Sequence, residues 1–301
     1  MDITVVGAGV IGLTSALALE RAGHTVRVVA AALDQETTSA IAGAVWFPYR
    51  AGPPDRVAIW AATTRRWLDA LADDPATGVD RLTGFEITGD AALPWWAAAI
   101  DVERAPAPVT GSPLAWRFAA PRAQPSLFLP YLTRQLRASI ERRVVTSLER
   151  EPGDVVVNCT GLGARTLIGD DALVPLRGQI ELAAPGGVDL RVTITDDRDP
   201  ENIFYVIPRR DQLVVGGCSI PTVANAPLVA DPTIRARIVG QASALGVPIG
   251  EIIDERVGLR PYRPSVRLER DGRVVHNYGH GGAGFTLCHG CALDVVALVE
   301  R

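Results

Sequence analysis

The residues best suited to chemistry are crowded into one stretch, HNYGHGGAGFTLCHGCALDVV over 276–296. Gly279, Gly281, Gly282 and Gly284 leave backbone N–H groups unshielded, and the apolar segment behind them predicts a helix that begins near Phe285. Several donors and the positive end of a helix dipole can then converge on one small anion. An electron-accepting ring that becomes negative on reduction needs such surroundings.

Holding a group of that kind takes further elements, and the N-terminal residues supply them. Asp2–Val6 (DITVV) reads as an apolar strand, followed by Gly7, Ala8, Gly9, Val10, Ile11 and Gly12 in a GxGxxG pattern. A helix over Leu13–Gly23 and a second strand over His24–Val29 complete a βαβ context. The pattern alone also occurs in ordinary turns. With a strand before it and a helix after, it predicts a tight turn, close approach of a pyrophosphate and hence a bound dinucleotide. One element of the fingerprint is missing: Val29 is followed by Ala30, Ala31, Ala32 and Leu33, with Asp34 and Glu36 only later. Either Asp34 reaches back to the ribose, or backbone and water hold it, or adenosine binding is weaker than usual.

At 301 residues and 48% hydrophobic content the chain can bury a full core, and its length favours two interleaved domains. A net charge of -4 gives no electrostatic case for nucleic acid or an anionic membrane. No run of eighteen apolar residues, no basic-then-apolar leader and no peroxisomal tripeptide is found, so the expectation is a soluble cytoplasmic protein. All 30 basic residues are arginine. Without lysine, Schiff-base chemistry of the pyridoxal and aldolase kind is excluded. Cys288 and Cys291 form a CxxC around His289, but no second ligand pair accompanies them and no metal is expected. Cys159 and Cys218 read as small buried hydrophobes.

Between the two glycine-rich ends, Thr37–Pro48 (TTSAIAGAVWFP) is small and then aromatic, as suits chain passing close under a cofactor. Residues 50–125 carry no chemical signature; a helix is expected over Asp55–Leu71, with loops around Pro75, Pro94 and 106–108. A helix over Leu127–Ile140 and a buried strand over Asp154–Asn158 follow, ending in Cys159, Thr160 and Gly161. GQIELAA, LRVTIT, IFYVIP and QLVVGG between 178 and 219 predict an antiparallel sheet. A helix over Pro232–Leu245 has Asp231 as N-cap and proline at its first position, and IIDERVGLRPY reads as a strand. The fold class is therefore α/β: a Rossmann-type domain from 1–48, 140–175 and 265–301, interleaved with an antiparallel or mixed-sheet substrate domain from 49–139 and 176–264.

Taken in order, Gly7–Gly12, TTSAIAGAVWFPY, VVNCTGLGAR, LRGQI, YVIPR with its following GG, GLRPYRPSVRLER and HNYGHGGAGFTL resemble the D-amino-acid oxidase and D-aspartate oxidase family. The resemblance implies non-covalent FAD in the Rossmann-type domain. It also implies oxidation of a D-amino acid to the imino acid by hydride transfer from Cα to flavin N5. Hydrolysis then gives the 2-oxo acid and ammonia, and oxygen reoxidises the flavin to release hydrogen peroxide. Carried over residue by residue, Arg260 clamps the substrate carboxylate, Tyr205 donates its hydroxyl to it, and the Gly282 carbonyl accepts from the amine. Phe47 is an apolar wall near the substrate side chain. Besides the Gly7–Gly12 turn, FAD contacts fall on Ala31, Ala32, Thr38, Ser39, Gly43, Ala44, Val45, Val145, Thr160, Gly281, Gly282, Ala283, Gly284, Phe285 and Thr286. Glu201 and Ser219 stand where the family often has a second tyrosine, which implies a weaker hold on the carboxylate. A D-amino acid and oxygen are the implied partners, with a homodimer as one assembly to test.

The residues themselves carry part of this. Arg256, Arg263, Arg267 and Arg270 suit a solvated surface, whereas Gly258 and Pro261 fix a bend beside Arg260 that aims its planar fork inward. Tyr205 lies in an apolar strand, where a packed core tyrosine is the competing reading. His280 tempts assignment as a base, but a site that orients and stabilises needs none. Two rivals stay open: an amine oxidase of glycine, sarcosine or D-aspartate, and a nicotinamide-dependent or non-catalytic nucleotide binder.

Overall fold

The structure, a computed structural model, describes all 301 residues. In chain order the elements begin with β1 (Asp2–Val6), α1 (Val10–Arg21), β2 (Thr25–Ala30), α2 (Thr38–Ile41), α3 (Pro54–Leu71) and β3 (Val79–Ile87). Next come β4 (Val102–Pro106), β5 (Leu114–Ala123), α4 (Pro125–Gln135), β6 (Ile140–Arg142), β7 (Val155–Asn158), α5 (Gly163–Leu167) and β8 (Val174–Ala183). The last third holds β9 (Val192–Asp196), β10 (Phe204–Pro208), β11 (Leu213–Gly216), β12 (Ile220–Pro221), α6 (Pro232–Ala244), β13 (Ile252–Asp271), β14 (Val274–His280) and α7 (Gly284–Val299). No helix is long and apolar enough to cross a membrane.

The chain forms two compact units. The first comprises 1–80, 123–175 and 260–301. Its strands lie in the order β6-β2-β1-β7-β14-β13, parallel except for the β13–β14 pair. The β-branched runs of β1 and β7 are buried throughout, as strands covered on both faces must be. α1 packs on α7, and α7 on α3. Gly290 allows that second approach, because a Cβ there would come within 2.5 Å of the Trp60 backbone. Its N–H donates to the Thr64 hydroxyl at 2.9 Å, and the Trp60 indole donates to Asp294 at 2.8 Å.

The second unit comprises 81–122 and 176–259, with strand order β4-β5-β3-β9-β10-β11-β8. Antiparallel pairs join β9, β10, β11 and β8, while β3 runs parallel to β9, so the sheet is mixed. Ile238 and Ala242 of α6 complete its core with Ile194, Phe204, Val206, Leu213 and Val215. Asp231 caps α6 by accepting from Thr233 N–H at 2.8 Å.

Three expectations differ from the structure. Residues 49–80 and 123–139 lie in the first unit, not the second, because α3 finds its partner in α7 and α4 packs on α1; 260–264 also belong there. The stretch 50–125 contains β3, β4 and β5, which its proline and alanine content hides. The helix expected to reach Ile140 stops at Gln135, where Leu136 turns extended and lets 140–142 pair with β2.

Candidate active site

At the C-terminal edge of parallel β1 the chain turns through Gly7, Ala8 and Gly9 into α1. A Cβ on Gly12 would strike the Gly7 carbonyl, so glycine alone lets the helix start this close to the strand end. Gly9 is the N-cap and offers no side chain, and no acid stands in the first turn. Val10 N–H is satisfied by the Ser39 hydroxyl at 3.0 Å, which ties α2 to this turn. Beyond β2, Ala31 is exposed and Ala32 half-buried; Glu36 pairs with Arg142 at 2.8 Å, and Asp34 is exposed. Thr38 is exposed, and the Ala44 carbonyl in the Gly43–Val45 turn accepts from Ala123 N–H at 3.0 Å. Beyond β7 the Thr160 hydroxyl donates to Asn158 at 2.7 Å, and Val145 packs against Val6, Leu148, Val156 and Val274.

The second glycine run closes β14 and opens α7. Ala283 is its N-cap without a side-chain bond, and again no acid stands in the first turn. Gly281 adopts φ +55° with its N–H donating to the Pro261 carbonyl at 2.9 Å, and a Cβ there would strike the Arg50 carbonyl. Thr286 fastens the same segment: its hydroxyl donates to the Phe47 carbonyl at 3.0 Å and accepts Phe47 N–H at 3.1 Å. Phe47 and Phe285 are both buried. Tyr49, two residues on, lies against Gly282, where a Cβ would sit 2.6 Å from its ring. The Arg260 guanidinium carbon is 5.9 Å from the centre of that ring. Gly282 and Arg260 thus meet at a tyrosine that sequence reasoning missed, although it stands directly after the segment Thr37–Pro48 singled out as passing close under a cofactor.

A buried network anchors the strands that carry these groups. The Tyr278 hydroxyl donates to Asp170 at 2.5 Å, Arg263 Nε donates to the same carboxylate at 3.1 Å, and Arg267 donates to the Tyr278 oxygen at 3.1 Å. Burial pushes the Asp170 carboxyl up, but the Tyr278 hydrogen bond and the Arg263 charge outweigh it and leave it below its ordinary value. Burial, with the Asp170 bond, pushes Tyr278 up to about 12. Arg263 lies in the irregularity of β13 between Tyr262 and Arg267, and its side chain covers Gly279.

His280 is 3% exposed, and burial holds its imidazole neutral, with a pKa down at about 3. Its Nε2 has no partner within the chain. Cys159 and Cys288 are pushed up to about 12 by burial, and none of the four buried cysteines forms a disulfide. No group of three metal-ligating side chains forms. In the second unit Tyr205 is half-buried on β10 opposite Gly216. Neither Gly216 nor Gly217 could carry a Cβ without meeting its ring or hydroxyl. Ser219 is buried and Glu201 exposed.

These features fit a flavin dinucleotide. Neither N-cap residue, Gly9 or Ala283, supplies a capping side chain and neither first turn holds an acid, which suits a pyrophosphate at α1, where Ser39 engages only Val10 N–H, and a ring that gains charge at α7. A family model for DAO, FAD dependent oxidoreductase, matches residues 2–298. A D-amino-acid oxidase of Rubrobacter xylanophilus is 41% identical, over 98% of this chain and 94% of that protein. One from Streptomyces coelicolor is 38% identical, over 99% and 97%. Among solved structures, glycine oxidase from Bacillus cereus has the same fold, with TM-score 0.78 at 18% identity over 99% of this chain and 94% of that one. With nearly its whole length matched and a glycine turn opening each of α1 and α7, the chain belongs to the DAO family of FAD-dependent oxidoreductases.

Proposed function

We propose that the protein oxidises D-amino acids to 2-oxo acids and ammonia, with oxygen reduced to hydrogen peroxide. The observation that carries this reading is the convergence of Gly282 and Arg260 on the Tyr49 ring beside an uncapped helix start. A backbone acceptor for an amine and a planar fork for a carboxylate then meet where an anionic ring is stabilised. FAD, when bound, accepts the hydride from the substrate Cα and passes the electrons to oxygen.

The chain's own residues bind and orient. Arg260 pairs with the substrate carboxylate, Tyr205 donates its hydroxyl to the same group, and the Gly282 carbonyl accepts an amine N–H, which leaves the Cα–H bond directed. Phe47 bounds the substrate side chain. The Gly7–Gly12 turn, Ala31, Ala32, Thr38, Ser39, Gly43, Ala44, Val45, Val145, Thr160 and Gly281–Thr286 are assigned to FAD. No side-chain base takes part: neutral, buried His280 holds the turn through its carbonyl, which accepts Ala283 N–H at 2.9 Å. FAD and the substrate contacts Phe47, Arg260 and Gly282 are assigned to the first unit; Tyr205 belongs to the second. A cytoplasmic location and a homodimer complete the proposal and are checked by cell fractionation and light scattering.

The test is peroxide release from the FAD-loaded protein over paired D- and L-amino acids, with glycine and sarcosine alongside. D-enantiomers should be the substrates, and Arg260→Gln should lower kcat/KM by roughly two to three decades, as for one lost partner of a buried charge pair. Equal rates with L-enantiomers, or faster turnover of glycine or sarcosine, would overturn the reading.

A further inference from the structure

The Tyr205 ring rests on the backbone of the neighbouring strand. A Cβ on Gly216 would strike that ring, and one on Gly217 would lie 2.9 Å from the hydroxyl. The path of residues 216 and 217 therefore sets where the hydroxyl stands. β11 ends at Gly216 and β12 begins at Ile220, so Gly217, Cys218 and Ser219 are buried outside any strand. Their backbone groups need partners that no continuous ladder supplies. Gly217 N–H donates to the Ile203 carbonyl and Ser219 N–H to the Glu201 carbonyl, both at 2.9 Å.

The Gly217 carbonyl finds its partner on α6. Arg237 donates to it through Nη2 and to the Asn202 carbonyl through Nη1 at 3.3 Å, while Gln241, one turn on, accepts from Nη1 at 2.6 Å. One planar fork thus grips the backbone just before β10 and just after β11, the strands that carry Tyr205 and its platform. Arg235, two residues earlier, pairs instead with the Glu255 carboxylate. α6 is also anchored without Arg237: Ile238 and Ala242 lie in the core, and the Gln179 side chain accepts Asp231 N–H at 2.8 Å and donates to the Asp231 carbonyl at 3.1 Å. Loss of the guanidinium therefore frees the Gly217 peptide while the helix stays in place.

We propose that Arg237 is a positioning residue that fixes the Gly217 peptide and, through it, the Tyr205 hydroxyl for the substrate carboxylate. The proposal rests on the reading of Tyr205 given above and extends it to α6. An arginine with a merely structural role would satisfy the same two carbonyls. The two roles differ in whether the cost of losing the guanidinium depends on the Tyr205 hydroxyl.

The experiment is a double-mutant cycle of Arg237→Met, Tyr205→Phe and both together in the FAD-loaded protein. It reads KM and kcat for D-alanine and the calorimetric Kd for propionate, which needs no turnover. Tyr205→Phe should raise KM and Kd about tenfold, as for a lost hydrogen bond to a charged group. Arg237→Met keeps the apolar stem and should raise both about fivefold with kcat within about twofold, because a misplaced hydroxyl weakens ground state and transition state alike. In the Tyr205→Phe background the same change should cost less than about 1.5-fold. Arg237→Lys, which can reach one of the two carbonyls, should recover part of the loss, and it takes the place of Arg237→Met in the cycle if that variant melts well below wild type. Equal losses with and without the Tyr205 hydroxyl, or no loss in either background, overturn the proposal. Tyr205→Phe without effect on KM or Kd shows that Tyr205 does not hold the carboxylate, and the proposal falls with that assignment. If no D-amino acid is oxidised, the activity reading fails on its own and the propionate cycle decides the role of Arg237; a wild type that then binds no propionate overturns it as well.

Discussion

Glu86→Gln should stabilise the protein, increasingly so as pH rises. Glu86 on β3 is 9% exposed, and its Oε2 has no hydrogen-bond partner. Burial first, and the Asp197 charge second, push its carboxyl up to about 8, partly offset by a hydrogen bond from Trp96. In the unfolded chain the same group titrates near 4.5. Between these values the folded protein holds a proton that the unfolded chain has released. Its stabilising contribution is therefore complete below the lower value and is lost as pH rises through the upper one. That gap corresponds to about 5 kcal/mol across the window, of which roughly 3 kcal/mol is gone by pH 7. Glutamine keeps the shape and cannot ionise. Urea unfolding at pH 5, 7 and 9 should show the advantage of the variant growing from near zero to several kcal/mol. An advantage that does not change with pH would show that Glu86 is ionised in the fold, and the reasoning would fail.

Tyr278→Phe removes the hydroxyl between Asp170 and Arg267 and should cost about 2 kcal/mol in denaturant unfolding, as for a buried hydrogen bond to a charged group. Adding Asp170→Asn to that variant should cost less than the same change alone, because the two share one network. Gly281→Ala meets both a left-handed φ and the Arg50 carbonyl, so it should lose at least about 1–2 kcal/mol of stability. Fluorescence titration should also find its FAD affinity lowered. The chain should tolerate peroxide: its one methionine is Met1, and Cys159, Cys218, Cys288 and Cys291 are all buried. Mass spectrometry after millimolar peroxide should find oxidised sulfur at Met1 alone, with activity kept; cysteine sulfonate with inactivation would refute this.

Local signals account for what was legible. The Gly7–Gly12 turn, the Asp231 cap and the glycine run before α7 each bend the chain through contacts a few residues long, so sequence places them to within a few residues. α3 was legible as a helix but not as a part of the first unit, since its partner α7 lies more than two hundred residues away and the fit depends on Gly290. β4 and β5 escaped because their prolines, alanines and tryptophans carry little strand periodicity. Arg260 was named from its motif. Tyr49 was not, because what marks it is contact with Gly282 and Arg260, which no spacing reveals. Asp170 was missed for the same reason: its partners Arg263 and Tyr278 come from distant strands.

Anaerobic mixing of the FAD-loaded protein with D- and L-alanine, followed by its visible spectrum, tests the central claim most directly. Full loss of the yellow flavin band with the D-enantiomer, none with the L-enantiomer and a much slower loss in Arg260→Gln are expected. A protein that takes up no flavin, or whose flavin is bleached alike by both enantiomers, would contradict the account.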